Sequence, residues 1–358
     1  MSAPPVPAAA PTVWFTKNIS PTLHRVREAA TRYHTLASHV SPDAGYLGAA
    51  HEAFIEPHPL EPDAYPDYVL DVVRARGVAA VVGGRFVAQL AARRADFEAA
   101  GCRLILASRD ADTFERCEDK ARFYADFSPH LPMPETHVAH TWEELLALAG
   151  EIEARHGSAC FKPARGIYGH GFRILTRGDD LERFFAGDRL HLSYSAAELL
   201  LRGQALPPLL VMETLPGKEY SVDAVARGGE LRAVVVRRKV GGLGNVQESV
   251  VAPEIEAGVA RLARELHMDG LFNVQFKEDA QGQPRLLEVN ARASGGLAIS
   301  AALSGLPLGL IELRAHLEGD PTRHTFTPGR RVTDAREVLE VGLLEAPAAP
   351  GGAEAERA

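Results

Sequence analysis

The residues best suited to hold a metal ion lie in the stretch LFNVQFKEDAQGQPRLLEVNAR, residues 271–292. Polar and apolar residues alternate in its first and last parts, which places each set on one face of a strand. The intervening EDAQGQP consists of turn-forming residues. The stretch therefore predicts a β-hairpin. Its polar face would carry Gln275, Glu288 and Asn290, and its other face Leu287 and Val289.

The pairing of the two strands follows if the hairpin is symmetric about Gln281–Gly282. Gln275 then lies opposite Glu288, and Asn273 lies opposite Asn290. One carboxylate with amide oxygens suits Mg²⁺, which takes phosphates and waters for its remaining ligands. Arg292, one strand step further, could approach a phosphoryl group or a carboxylate with its planar guanidinium. The alternative is an ordinary exposed hairpin with a polar outer face.

A lysine and three glycines follow one another in FKPARGIYGHGFRIL, residues 161–175. Lys162 ends an apolar run, and the loop behind it contains Gly166, Gly169 and Gly171. Glycines let backbone N–H groups close over phosphates, and the lysine would add a positive charge. The alternative is a flexible hairpin tip with a surface lysine.

The segment METLPGKEY, residues 212–220, joins two apolar runs through a turn with acidic residues on either side. Its extended backbone could bind an adenine, and a carboxylate such as Glu219 could bind a ribose diol. The alternative is a charged hairpin end.

Taken together in this order, these motifs resemble the ATP-grasp superfamily, most closely the carbamoyl phosphate synthetase and biotin carboxylase branch and related carboxylate–amine ligases. The resemblance covers about residues 118–318. It implies a nucleotide held between two α+β subdomains, with ATP and Mg²⁺ as cofactors and Mn²⁺ as an alternative metal. The resemblance also implies residue roles. Lys120 and Lys162 would contact phosphates, Arg292 would contact the phosphoryl group, and Gln275, Glu288 and Asn290 would bind magnesium. Glu213, Thr214 and Leu215 would form the adenine edge, and Glu219 would bind the ribose. Gly166, Gly169 and Gly171 would form the phosphate loop. Arg238, with Lys239, either adds phosphate contacts or is a solvated strand end.

The function implied by the resemblance is an ATP-dependent ligase. A carboxylate would attack the γ-phosphate to give an acyl phosphate, and an amine or similar nucleophile would then displace phosphate. Only one ATP-grasp unit is present, and the loop after Lys239 has no histidine, with Asn245 the nearest polar substitute. Both departures count against bicarbonate as the substrate. A phosphotransferase and a non-catalytic nucleotide-binding module stay open as alternatives.

Further elements must position these residues. Short apolar runs alternate with helical patterns between residues 12 and 110, which predicts a parallel, Rossmann-like sheet covered on both faces. Gly83-Gly84 is read as a strand-to-helix turn rather than a phosphate loop. Single helices are predicted over Phe86–Ala100 and Asp112–Phe127. The predicted division of the chain is a disordered tail at 1–11, the Rossmann-like domain at 12–110, the ATP-grasp domain at 111–345 with a lid subdomain at about 136–212, and a flexible tail at 346–358.

Composition excludes other classes of function. Hydrophobic residues make up 46% of the chain and charged residues 24%, which is typical of a globular protein. A net charge of −8 is not the basic footprint of a nucleic-acid-binding protein, and no apolar run is long enough to span a bilayer. Three scattered cysteines indicate a reducing cytoplasm. The resemblance implies small-molecule carboxylate and amine substrates, and a homodimer stays open.

Overall fold

The N-terminal part of the chain forms a parallel sheet. The computed structural model describes residues 7, 10–17, 22–166, 169–178, 180–240 and 245–334. The strands of the first sheet are β1 (Thr12–Phe15), β2 (His34–His39), β3 (Glu52–Ile55), β4 (Ala80–Val82) and β5 (Arg103–Ile105). They are parallel and lie in the order β3-β2-β1-β4-β5. Trp14 is buried on one face of this sheet, and Val13 and Phe15 are buried on the other. This arrangement confirms the parallel sheet with two covered faces.

Four helices accompany this sheet, together with short 3₁₀ turns at Leu47–Ala49 and Pro62–Ala64. The helices are α1 (Thr22–Ala29), α2 (Tyr65–Arg76), α3 (Val87–Ala92) and α4 (Arg94–Ala99). The single helix predicted over Phe86–Ala100 is therefore wrong. Arg93 leaves the helical region with φ −105° and ψ 16°, while its guanidinium donates hydrogen bonds to Asp96 and Asp67.

The helix predicted over Asp112–Phe127 is also two helices, α5 (Ala111–Glu118) and α6 (Lys120–Phe127). Asp119 has φ −88° and ψ 91°, and its side chain accepts a hydrogen bond from the Arg122 amide. An aspartate in this position satisfies an N–H group that the first helical turn leaves without a partner. The break makes Lys120 the first residue of α6.

The second sheet mixes antiparallel and parallel strands. Its elements are β6 (Thr136–Ala139), α7 (Trp142–His156), β7 (Ala159–Pro163), β8 (Arg173–Thr176), α8 (Asp180–Phe185), β9 (His191–Ser193), α9 (Tyr194–Leu201) and β10 (Leu209–Glu213). The strand order is β6-β10-β7-β8-β9. Trp142 and other apolar residues of α7 pack on this sheet in a separate buried cluster. The second sheet thus has its own core, as a small α+β unit requires.

The third sheet is antiparallel and contains the predicted hairpin. Its elements are β11 (Glu219–Arg227), β12 (Glu230–Lys239), β13 (Val246–Ser249), α10 (Pro253–Glu265), β14 (Leu271–Glu278), β15 (Pro284–Asn290), α11 (Leu297–Ser304), α12 (Leu308–Leu317) and β16 (Arg331–Thr333). The strand order is β15-β14-β11-β12-β13-β16. Phe272, Val274 and Phe276 belong to the same buried cluster as Trp14 of the first sheet. The first and third sheets therefore share one core.

Polar contacts also fasten the first sheet to the third. Glu28 on α1 accepts hydrogen bonds from the amides of Gly309 (2.7 Å) and Leu310 (3.2 Å) at the start of α12. Arg25 forms a buried ion pair with Glu312. Because α1 covers the first sheet and α12 packs against the third, these contacts fix the two units relative to each other.

Most of the predicted tails, at 1–11 and 346–358, and most of the Gly241–Asn245 loop lie outside the described residues. The division of the chain into domains stays a prediction. Within the part that the structure describes, no single helix is long and apolar enough to cross a membrane. α11 and α12 reach that length and composition only as a pair bent by 93°.

Candidate active site

The hairpin of β14 and β15 has the predicted pairing at its functional end. Asn273 lies opposite Asn290, and Gln275 lies opposite Glu288. Beyond this point the register shifts by one residue, so that Phe276 pairs with Leu286. The symmetric hairpin is therefore wrong near its turn, and Leu286 takes the buried position predicted for Leu287. A bulge of this kind re-aims side chains next to functional sites.

Gln275, Glu288, Asn290 and Arg292 form what we call the hairpin cluster. Asn290 Nδ2 donates to Glu288 Oε1 over 3.1 Å, and Arg292 Nη2 donates to Asn290 Oδ1 over 3.2 Å. Gln275 is placed beside Glu288 by the strand register. The structure thus brings all four predicted residues together.

Lys120 connects the hairpin cluster to the glycine loop. Its Nζ donates to the carbonyl of Gly166 over 2.8 Å and lies 4.0 Å from Glu288 Oε2. Its backbone amide donates to the carbonyl of Ala164 over 3.0 Å. Because Lys120 begins α6, the helix break at Asp119 is what brings this charge to the site.

Lys162 lies beside the same cluster, half-buried at the end of β7. Its Nζ is 5.7 Å from the centre of the Tyr124 ring, a cation–π geometry. Burial lowers the pKa of Lys162; the charge of Lys120 lowers it further and that of Glu288 opposes the shift. Tyr124 is itself fixed by a hydrogen bond from its hydroxyl to the Leu287 carbonyl, 3.0 Å long.

The glycine loop needs its glycines for different reasons. Gly169 and Gly171 have φ of 67° and 78°, in the left-handed region that favours glycine. A Cβ at Gly171 would come within 2.7 Å of the Pro163 ring, so the backbone passes too close for a side chain. Gly166 supplies the carbonyl that Lys120 binds. Residues 167 and 168 of this loop lie outside the described part of the chain.

The predicted adenine edge runs from β10 toward β11, between the second and third sheets. Glu213 Oε1 accepts from the Glu135 amide over 2.9 Å, and Glu213 Oε2 lies 3.2 Å from His156 Nδ1. The Thr214 amide donates to the Ser158 carbonyl, and Leu215 is buried. The side chain of Glu213 and the amides of Glu213 and Thr214 are therefore all occupied by protein contacts.

Glu219 and Arg238 end up on opposite faces of the third sheet. Antiparallel partners share a face, and the pairing joins Ser221 to Gln275 and to Arg237. Glu219 lies on this face with the hairpin cluster and forms an ion pair with Lys239. Arg238 pairs with Tyr220 on the other face and binds Glu248. The structure does not bring Arg238 to the hairpin cluster. Of the two neighbours Arg238 and Lys239, it is Lys239 that lies on the face of the hairpin cluster.

Sequence reasoning missed a buried polar network next to the cluster, centred on Arg237 and Asp223. Arg237 Nη2 lies 3.0 Å from Asp223 Oδ2, and Asn273 Nδ2 donates to Asp223 Oδ1 over 3.0 Å. Asn290 reaches Asn273 Oδ1 at 3.5 Å. A charged residue inside the apolar run of β12 was the available signal, because such a residue is rarely buried without a partner.

A cavity of about 600 Å³ opens beside the cluster, between the first and third sheets. Lys120, Asn290 and Arg292 line one side, and residues that follow β1, β4 and β5 line the other. Within the described residues no group of three or more His, Cys, Asp or Glu side chains could hold a metal ion on its own. The hairpin cluster offers one carboxylate and amide oxygens, so phosphate oxygens and waters would have to complete a magnesium shell.

Comparison with known families agrees with this geometry. The family described as "ATP-grasp in the biosynthetic pathway with Ter operon" matches residues 205–338, which include the adenine edge and the hairpin cluster. Residues 205–338 therefore match an ATP-grasp domain. This match and the relatives below confirm the predicted resemblance.

The chain is also similar to the carbamoyl phosphate synthase large chain of Pyrococcus furiosus, with 29% identity over 271 residues. The match covers 70% of this chain and 23% of that protein. This chain thus spans less than a quarter of the length of that relative.

Solved structures share the fold of this chain. The biotin carboxylase domain of the Hydrogenobacter thermophilus 2-oxoglutarate carboxylase gives a TM-score of 0.61 at 17% identity, covering 88% of this chain and 71% of that one. The L-amino acid ligase of Bacillus licheniformis gives 0.56 at 16% identity, covering 86% and 74%. The predicted fold class is confirmed.

Proposed function

We propose that this protein is an ATP- and magnesium-dependent ligase that joins a carboxylate to an amine or a similar nucleophile. The observation that carries the proposal is the meeting of Lys120, Glu288 and Arg292 at one point. Lys120 comes from the start of α6, far away in the sequence from Glu288 on β15 and Arg292 directly after β15. Such a set of charges suits a phosphoryl group in transfer and has no evident use in an exposed hairpin.

Magnesium fits the hairpin cluster by the chemistry of its donors. Glu288 supplies a hard anionic oxygen, and Asn290 and Gln275 supply neutral carbonyl oxygens on the same face. A bound magnesium ion would offset negative charge on the phosphates. The cavity beside the cluster gives the substrates access to this position.

The side chains around the cluster would orient and stabilise the transferred group. Lys120, Lys162 and Arg292 place positive charge around the γ-phosphate, and the glycine loop offers backbone N–H groups. The segment Glu213–Leu215 would lie along the adenine, and Glu219 would bind the ribose hydroxyls. Glu219 forms an ion pair with Lys239. Ribose binding would either break this ion pair or use one carboxylate oxygen of Glu219 while Lys239 keeps the other.

The reaction would proceed in two steps. A carboxylate oxygen attacks the γ-phosphorus, the bond to the bridging oxygen of ADP breaks, and an acyl phosphate forms. The amine nitrogen then attacks the acyl carbon, phosphate leaves, and the nitrogen loses a proton. Protein side chains act by positioning and electrostatics, as phosphoryl transfer requires.

The relatives support the class of reaction and differ in their substrates. One is a carbamoyl phosphate synthase, one a biotin carboxylase domain solved with MgADP and bicarbonate, and one an L-amino acid ligase. The absence of a histidine after Lys239 disfavours bicarbonate, so we propose an organic carboxylate.

Release of ADP and phosphate with a panel of acids and amines would test the proposal. Hydroxylamine added in place of the amine should trap the acyl phosphate as a hydroxamate. We expect Glu288→Gln to require more Mg²⁺ and to lose most turnover. Glu230→Gln, an exposed carboxylate of the same sheet, serves as the matched control and should behave like the wild type.

Three outcomes would contradict the proposal. Full turnover of Glu288→Gln would remove the role of the hairpin cluster. A stable phosphorylated product without free phosphate would make the protein a phosphotransferase. Nucleotide binding with no turnover across the whole panel would make it a binding module.

A further inference from the structure

The strand order of the first sheet creates a crevice at one end of the cavity. The order β3-β2-β1-β4-β5 reverses direction between β1 and β4. In open parallel sheets, ligands bind outside the carboxyl ends of the strands at this point of reversal. The segments that follow β1 and β4 meet there, since the Gly84 amide donates to Thr16 Oγ1 over 3.0 Å. Lys17, Gly84 and Arg85 line the cavity at this crevice.

Arg85 is the best-defined cation in the crevice. Its side chain is only 11% exposed. The guanidinium carbon lies 4.4 Å from the ring centre of Phe86 and 5.2 Å from that of Tyr65. Among the described residues, its Nη1 has no hydrogen-bond acceptor. A buried N–H group without an acceptor is costly, and the cavity that Arg85 lines is the side from which a ligand oxygen would approach its guanidinium.

Glu56 holds Arg85 without using this donor. Its carboxylate lies 3.6 Å from Arg85 Nη1, beyond hydrogen-bond distance. It already accepts from the Lys17 amide (3.0 Å), the Ser38 hydroxyl (2.7 Å) and the Tyr65 hydroxyl (3.2 Å). Glu56 therefore keeps the guanidinium in place by charge, and Lys17 adds a second positive charge at the same crevice.

The backbone around Arg85 is held in an unusual conformation. Phe86 has φ 48° and ψ 44°, the left-handed region that costs a non-glycine residue free energy. A Cβ at Gly83 would lie 2.4 Å from Leu106, so this turn is packed tightly against the end of β5. Strained residues persist where the surrounding structure fixes them, and they are common in ligand-binding sites.

We propose that Lys17 and Arg85 form a subsite for an oxyanion, a carboxylate or a phosphate, that belongs to a substrate and does not react. The reacting group of the same substrate, or of its co-substrate, lies across the cavity near Arg292. The substrate class is therefore an acid or an amine that carries an additional anionic group. The existence of the subsite is independent of turnover, whereas its assignment to a ligase substrate rests on the proposed function.

Binding of simple anions tests the subsite directly. The protein is saturated with Mg²⁺ and a non-hydrolysable ATP analogue, which occupies the γ-phosphate position, and is then titrated with inorganic phosphate or with acetate in a calorimeter. We expect at least one anion to bind and Arg85→Gln to weaken it about 10- to 100-fold, the value of a charged hydrogen bond. Phosphate alone would indicate a phosphorylated substrate, and acetate a carboxylate. Arg74→Gln, an exposed arginine on α2, is the matched control.

Two further variants keep the test decisive. Lys17→Gln should weaken binding even if Arg85→Gln fails to fold, and Arg85→Lys should retain part of the affinity. If the nucleotide analogue does not bind, the same titration of Arg292→Gln protein without nucleotide tests the subsite alone. Failure of the proposed ligase function and failure of the subsite are thus separate results. The proposal is overturned if neither anion binds, or if binding is unchanged in Arg85→Gln and Lys17→Gln.

Turnover gives an independent measurement once a substrate pair is active. Substrates are compared in pairs that differ only in the additional anion, such as an amino acid and its amide, or a phosphate ester and its alcohol. The anionic member should have a kcat/KM about 10- to 100-fold higher, and Arg85→Gln should remove this preference. An unchanged preference in the variant would contradict the assignment to a substrate.

Discussion

Lys120 Nζ lies 4.0 Å from Glu288 Oε2, which joins the first turn of α6 to the hairpin strand β15. The same ammonium binds the Gly166 carbonyl of the glycine loop. Three segments that are far apart in the sequence are thereby held around one position.

Replacement of Lys120 by methionine should reduce turnover strongly without unfolding the protein. The variant keeps an apolar stem and loses the charge that would face the phosphates. Loss of one such electrostatic contact typically costs about 100- to 1,000-fold in kcat. Steady-state release of ADP measures the effect, and Lys218→Met, at an exposed turn, is the control. Equal rates for the two variants would show that Lys120 does not touch the reacting group.

Replacement of Arg237 by methionine should lower the free energy of unfolding by about 3–5 kcal/mol, because Asp223 would remain charged in a buried site. The double variant Arg237→Met/Asp223→Leu should recover part of this loss, since neither buried charge is left alone. Denaturant unfolding of both variants measures the difference. A double variant less stable than Arg237→Met would show that the other partners of Asp223, Asn273 and Ser300, dominate.

A side chain at Gly296 should disturb the same network. A Cβ there would lie 2.5 Å from Arg237 Nη1, so Gly296→Ala should cost about 1–3 kcal/mol. Gly150→Ala is a matched control, because Gly150 is exposed in α7 with nothing within 4 Å of the new Cβ. That change should stabilise the protein by about 1 kcal/mol, the helix preference of alanine over glycine. Thermal unfolding distinguishes the two results.

The carboxyl of Glu135 should make stability depend on pH. Hydrogen bonds from Arg155, His137 and His156 lower the pKa of Glu135 from 4.5 to about 2. A pKa lowered by folding contributes stability that is fully present above pH 4.5 and is lost as the pH falls toward 2. Glu135→Gln should therefore be less stable than the wild type at neutral pH, and the difference should shrink between pH 4.5 and 2. A difference that is constant over this range would contradict the shift.

The sequence was informative where structure is local. Alternation over β14 and β15 predicts which residues pair at Gln275 and Glu288, because a hairpin needs only its own turn and its own pattern. The bulge that follows lies where Leu287 accepts a hydrogen bond from Tyr124 of α6 and Phe276 approaches Gly258 of α10, and alternation contains no information on such contacts. Val234, Val235 and Val236 are all apolar, and such a continuous run does not reveal that Arg237 and Lys239, rather than Arg238, lie on the face of the hairpin cluster.

Long-range features were harder to predict. The helical pattern runs continuously through Asp119, so only the capping geometry shows that Lys120 begins a new helix. The crevice at Arg85 depends on the order of parallel strands, which a single sequence does not specify. Roles proposed for individual site residues stay predictions until the variants are measured.

Lys120 binds the segment after β7 through two hydrogen bonds: its amide donates to the Ala164 carbonyl, and its ammonium donates to the Gly166 carbonyl. If the second sheet moved away from the hairpin, these two hydrogen bonds would displace the first turn of α6. The distance between Lys120 Nζ and Glu288 Oε2 would then increase. The affinity for nucleotide would therefore depend on the angle between the second and third sheets. A crosslink that fixes this angle would slow the exchange of ADP.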